Sequence, residues 1–158
     1  MFKQGLSWSE LAVGQKFTTA GRTVTETDVV SFAGSTGDYS PMHTNIEFAA
    51  ASEFGERIAH GLLGLSIAHG LMFGGGLLGE NAIAFLGLSD WTFRAPIRLG
   101  DTIHANFEIV ELRRRATKPE QGIATFAVEL RNQRQQVTQS GRKAILMHAP
   151  HAASTDQQ

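Results

Sequence analysis

The amino-acid sequence predicts an α+β domain in which an antiparallel sheet wraps around one long, uncharged helix. Three observations predict it. Residues 61–79 (GLLGLSIAHGLMFGGGLLG) carry no formally charged side chain, as expected of a helix buried on most sides. From Ala82 onward the hydrophobic period changes from helical to two, the mark of strands with one face buried and one wet. The 158 residues, 42 % of them hydrophobic, are enough for one core without staples.

The elements follow in order. Thr25-x-x-Asp28 reads as a capping box, and the helix it opens, through Val29, Val30, Phe32 and Ala33, stops at Gly37, a natural left-handed cap. Residues 38–43 (DYSPMH) form a loop, because Pro41 disfavours helical backbone at Ser40. Thr44-x-x-Glu47 reads as a second capping box for a short helix through Ala51. The long helix runs from near His60 toward Leu78, and Gly74 to Gly76 mark where it ends or loosens. Trp91, Phe93, Ala95, Ile97 and Leu99 alternate with polar residues, as do Ile103, Ala105, Phe107 and Ile109, then Ala124, Phe126, Val128 and Leu130. A looser strand spans Val137 to Met147. Four such strands with short connections predict a meander. The domain is expected to occupy residues 1–148, with 149–158 a flexible tail.

Composition removes several function classes. With no cysteine there is no disulfide framework, thiol redox pair or thiolate zinc site. A formal charge of −1 argues against nucleic acid as a partner. Charge is uneven: residues 1–79 hold 4 basic and 7 acidic side chains, residues 80–158 hold 10 and 8. Arg113, Arg114, Arg115 and Lys118 form the one basic run, either a solvated hairpin tip or a landing site for phosphates. Residues 61–79 are too short and glycine-rich for a membrane span, and Met1 to Trp8 lack a leader pattern. No membrane association and a cytoplasmic location are therefore expected.

The most informative segment is Phe32 to His43 (FAGSTGDYSPMH). It sets the carboxylate of Asp38 and the imidazole of His43 five residues apart on a loop shaped by Gly37 and Pro41. Only a defined loop brings two such side chains together, and together they can take up and return a proton near neutral pH. The plainer alternative is an Asp that caps and a His that packs. Next comes His60-Gly61. A glycine at a helix start exposes a backbone N–H, at the positive end of the dipole, to a close-approaching carbonyl oxygen.

Other chemistries fit less well. His43, His60, His69 and Asp38 invite a metal, but His60 and His69 stand two and a half turns apart on one helix and cannot share an ion; no metal is expected. Ser35, Ser40 and Ser66 lack a nucleophile-elbow context. No phosphate-binding loop occurs, and Gly74-Gly75-Gly76 follows a helix rather than a strand, so no nucleotide cofactor is expected.

The run Phe32 to His43, with Ala49 six residues on, resembles the hydratase motif of the MaoC-like (R)-specific enoyl-CoA hydratases. His60-Gly61 and residues 93–101 (FRAPIRLGD) are similar to that family too. The resemblance implies a hot-dog fold, a homodimer, and an acyl-CoA thioester as substrate. It also implies that Asp38 and His43 are the catalytic pair and that the Gly61 N–H polarises the thioester carbonyl. Two positions depart from the pattern. Ser40 stands where the family usually has Asn, and His69, eight residues after Gly61, stands where some relatives carry a serine.

The expected reaction is reversible addition of water to a trans-2-enoyl-CoA, giving an (R)-3-hydroxyacyl-CoA without a cofactor. Asp38 is assigned as base and His43 as proton donor, with Ser40, His60 and Arg94 as further substrate-site residues. Arg94, Arg98 and the 113–115 run are the candidates for the CoA phosphates. Branched or dicarboxylic acyl groups, a hot-dog thioesterase and a non-catalytic acyl-CoA-binding subunit are the alternatives. The thioesterase lacks the acidic residue that it would need on the central helix.

Overall fold

The computed structural model describes residues 5–150. Two short strands, β1 (Lys16–Thr18) and β2 (Arg22–Thr23), lead into helix α1 (Glu26–Thr36). Its cap is the one expected: the Thr25 hydroxyl accepts from the Asp28 N–H, and the Asp28 carboxylate accepts from the Thr25 N–H. At the other end Gly37 has φ 77° and donates its N–H to Ala33 O at 2.9 Å, a left-handed residue that glycine adopts without strain.

Two small helices follow, α2 (Pro41–Thr44) and α3 (Ile46–Ala50). The expected loop at 38–43 thus ends in a helical turn. Pro41 excludes helical backbone from the residue before it yet suits the first helical position, where no N–H is needed. The cap of α3 is also displaced by one residue: Asn45, not Thr44, accepts the Phe48 N–H at 3.0 Å. Thr44 instead bonds back to the Tyr39 and Ser40 carbonyls.

Helix α4 (Gly61–Gly74) spans about 21 Å at 1.5 Å per residue. It stops at Gly74, short of Leu78, because Gly76 turns to φ 73°. Its buried residues Leu63, Gly64, Ile67, Ala68 and Met72 face the sheet. A Cβ on Gly64 would lie 2.3 Å from Gln139 Nε2 and 2.6 Å from Ile97 Cδ1, so the helix approaches the sheet more closely than any larger residue allows.

The sheet comprises β3 (Ala82–Phe93), β4 (Thr102–Arg114), β5 (Gln121–Arg131) and β6 (Val137–His148), with β1 and β2 beside β4. Its order is β1-β4-β5-β6-β3, every pair antiparallel. Alternation read from sequence matches burial in β4 and β5, where Ile103, Phe107, Ile109, Phe126 and Leu130 lie on the inner face. The first strand differs from its expected position. It covers 82–93 rather than 91–99, with three register shifts and Asp90 at φ 55°. Beyond Phe93 the Arg94 and Ala95 N–H groups make the last bonds to β6, both to Thr138 O, and farther on Ala59 N–H bonds to Ile97 O. The simple meander is corrected too: β3 pairs with β6 across the sheet, not with the β4 that follows it. After β6, Ala149 is buried and donates to Glu120 O, so packing continues one residue past the expected boundary at 148. His151 and the rest of the tail lie outside the described residues. Among the described residues no helix is long and apolar enough to cross a membrane.

Candidate active site

The site forms where α1, α2 and α4 converge on the 93–97 segment and the start of β6. Gly37 turns the chain out of α1, and Asp38 follows immediately. The Asp38 Oδ1 accepts the Ser40 N–H at 3.2 Å, which holds the carboxylate over the turn. Ser40 contributes through its backbone: it is the N-terminal cap residue of α2, but its hydroxyl makes no cap bond. One turn later, His43 Nδ1 lies 2.7 Å from Ile58 O. A carbonyl only accepts, so Nδ1 carries a proton and Nε2 is left to exchange one.

His60 links this loop to α4. It is buried at 2 % exposure and its Nε2 donates to the Asp38 carbonyl at 3.0 Å. Its ring lies 3.9 Å from the His43 ring and 4.9 Å from the Phe32 ring, centroid to centroid. The proton on Nε2 leaves Nδ1 as an acceptor, and that atom is buried with no partner among the described residues. From below, Arg57 pairs with Glu26 and reaches the His43 carbonyl. The hydrogen bond from Arg57 holds the Glu26 carboxyl below its ordinary range.

Gly61 is the first residue of α4, where the N–H has no acceptor within the helix. A Cβ there would lie 2.8 Å from the Phe93 ring, so a larger residue would have to push that exposed ring aside. Gln139 on β6 holds the Gly61 carbonyl at 2.9 Å and itself accepts from the Trp91 indole at 3.2 Å. Asp38, His43, His60, Gly61, Phe93 and Arg94 all line one cavity of about 530 Å³.

Asp38, His43 and His60 each offer a ligand atom, all within 4.8 Å of one another. This trio, rather than any set containing His69, is where an ion would have to sit. Two of its nitrogens already face backbone carbonyls, which leaves His43 Nε2 and His60 Nδ1 as donors. The open faces of Asp38 and His43 suit a water molecule held between a carboxylate and an imidazole.

The basic candidates separate. Arg94 borders the cavity, with its Nε donating to Ser140 Oγ at 2.6 Å. Arg98 pairs with Glu56 and donates to Phe54 O at 3.0 Å. The 113–115 run lies at the end of the β4–β5 hairpin. Arg114 binds the carbonyls of Pro119, Ala149 and Pro150, and Arg115 binds Gln121, while Arg113 lies 3.8 Å from Glu111 and is largely exposed. Sequence reasoning missed Gln139 and Lys143. Both stand at inward positions of β6, in line with Ile145 and Met147, and a polar residue there is the signal that was available.

A single helix enclosed by a curved antiparallel sheet defines the hot-dog class. The chain belongs to the MaoC-like domain family, whose sequence pattern matches residues 9–138. It is 34 % identical over 140 residues to an (R)-specific enoyl-CoA hydratase of Aeromonas caviae, covering 89 % of this chain and 93 % of that one. It is 34 % identical over 119 residues to a protein of the same name from Rhodospirillum rubrum, covering 75 % and 76 %. It is 41 % identical over 96 residues to a 3-hydroxybutyryl-CoA dehydratase of Methylorubrum extorquens, spanning only 59 % of each. Among solved structures, a MaoC-like dehydratase from Rhodospirillum rubrum superposes with a TM-score of 0.84 at 28 % identity, covering 94 % of this chain and all of that one. A Mycobacterium tuberculosis protein with a double hot-dog fold superposes at 0.83 and 21 % identity, covering 98 % of this chain and 49 % of that one. These relatives support an enzyme of the hydratase and dehydratase kind.

Proposed function

We propose that the protein catalyses reversible hydration of a trans-2-enoyl-CoA to an (R)-3-hydroxyacyl-CoA. The observation that carries the reading is one cavity lined by a carboxylate, an imidazole and the N-terminal glycine of a 14-residue helix. Water attack at the β carbon pushes negative charge onto the thioester oxygen. The Gly61 N–H and the positive helix end are suited to receive it, a donor worth about 10²–10³ in rate. Water sits between Asp38 and His43. As its oxygen bonds the β carbon, the Asp38 carboxylate takes its proton while His43, entering as the imidazolium, delivers its Nε2 proton to the α carbon, and return of a proton from Asp38 to His43 resets the pair. The Nδ1 bond to Ile58 keeps the ring oriented through both transfers. None of these steps requires a cofactor. Arg94 at the rim is the contact for the CoA phosphates.

The active form in this reading is a homodimer, acting in the cytoplasm. β3 is an edge strand of 12 residues, and Phe85, Leu86, Leu88 and Phe93 on it are exposed. A long apolar edge invites pairing with a second copy.

A panel of trans-2-enoyl-CoA esters, followed by loss of enoyl absorbance beside the Asp38→Asn variant, tests the reaction. Hydration by the wild-type protein alone supports it. Release of free thiol without hydration identifies a thioesterase, and binding without turnover identifies a carrier subunit; either outcome overturns the reading.

A further inference from the structure

Lys143 is 2 % exposed, and its partners among the described residues include no anion. Its ammonium donates to His69 Nδ1 and lies 3.6 Å from the Met72 sulfur. The rings of Phe73 and Phe85 stand 5.6 and 5.3 Å away. Its cross-strand neighbours, Leu88 on β3 and Phe126 on β5, are uncharged. Burial lowers the amine to about 8, which leaves it cationic at neutral pH. A buried charge without a counter-charge destabilises the fold, and such groups concentrate where a protein acts on something else.

The pair points outward through the histidine. Because Nδ1 accepts from Lys143, the proton of neutral His69 sits on Nε2. Burial, and then the neighbouring Lys143 charge, lower the imidazole's proton affinity and keep it neutral. A half-buried N–H donor therefore stands in front of a buried cation.

Its position relates it to the cavity. Gly61, Leu65, His69 and Phe73 recur every four residues on one half-buried flank of α4. His69 thus lies about 12 Å along the helix from Gly61. On β6, Lys143 is four residues beyond Gln139, which holds the Gly61 carbonyl; that is about 13 Å along a strand. The two measures agree. Between them stand only apolar groups, Leu65 on the helix and Trp91 packed onto Gly141 on the sheet side, so a chain running from Gly61 to Lys143 would have to displace them.

We infer that Lys143 and His69 receive a carboxylate at the far end of the acyl chain, so that the substrate is a dicarboxylic acid esterified to CoA at one end. The inference rests on the acyl-thioester reading of the cavity. A carboxylate cancels the buried charge, whereas a hydroxyl or methyl end leaves it unpaired. An extended chain advances about 1.2 Å per bond, so the span, less a hydrogen bond of about 3 Å at one or both ends, takes roughly six to ten carbons.

Calorimetry with saturated CoA thioesters tests this without turnover. Carboxylate-ended and methyl-ended chains of matched length, spanning roughly six to ten carbons, are titrated into the wild-type protein, Lys143→Met and His69→Leu. The carboxylate form should bind the wild-type protein about tenfold tighter or more at one length, the scale of a hydrogen bond between charged groups. In Lys143→Met that ratio should fall to near one. Methyl-ended chains binding equally well at every length, or a ratio unchanged in both variants, overturns the inference. The wild-type ratio decides even where a variant fails to fold. Carboxylate preference without hydration of any enoyl ester would sink the hydratase reading alone. Hydration without carboxylate preference would sink this inference alone.

Discussion

Replacing Lys143 by Met should stabilise the protein at neutral pH, and the gain should disappear in alkali. The unperturbed amine titrates near 10.5 and the folded one near 8. Each tenfold change in proton affinity is about 1.4 kcal/mol, so confining the charge costs the fold about 3 kcal/mol. Below pH 8 both states hold the proton and the full cost stands. Between about 8 and 10.5 the unfolded chain retains the proton while the folded chain releases it. Wild-type stability therefore rises with pH through that window, and above it the cost is gone. Methionine matches the length of the stem but loses the bond to His69, which offsets about 1 kcal/mol. The variant should thus be more stable by about 2 kcal/mol at pH 7, with that margin shrinking by about 2 kcal/mol at pH 10. Urea unfolding of both proteins at several pH values measures it, and other titrations cancel in the difference. A margin that stays constant with pH would refute the reasoning, because only a proton bound differently by the two states makes it move. The expected sign fits the inference above: a group that weakens the fold is retained at a site that acts on a ligand.

Three further outcomes are expected. Asp38→Asn and His43→Gln should each lower hydration by about 10²–10⁴ with little change in urea midpoint, since Asp38 is exposed and His43 is outside the core; near-wild-type turnover would remove the assignment. Gly37→Ala forces a side chain into φ 77°, which should cost about 1 kcal/mol, seen as a lower unfolding midpoint, and should raise KM by displacing Asp38. Charged substitutions at Leu86 and Leu88 on the β3 edge should shift light-scattering mass from dimer to monomer, whereas a monomeric wild-type protein would contradict the dimer reading.

Much of the fold was legible because its causes are local. The Thr25 box and the Gly37 stop are decided within four residues by backbone groups that need a partner. The alternation in β4 and β5 is a period-two pattern that any one-sided sheet imposes. Reading failed where two local preferences competed. Thr44 and Asn45 both suit a cap, and the turn begun by Pro41 claimed Thr44. Residues 91–99 alternate throughout, yet bonding to β6 ends when the Arg94 and Ala95 N–H groups reach Thr138 O, and Ile97 instead receives the Ala59 N–H as the segment borders the cavity.

The sequence by itself determined that a carboxylate and an imidazole share one short, turn-bounded segment, and that a glycine opens the apolar helix. Those facts are written in neighbouring residues, where chain geometry leaves few choices. Only the tertiary structure decided that His60 ties the Asp38 backbone beneath His43, that Gln139 holds the first carbonyl of α4, and that Lys143 lies against His69. These contacts join residues 22 to 78 positions apart. They depend on which strands pair and how closely the helix settles on the sheet, and no local pattern encodes either.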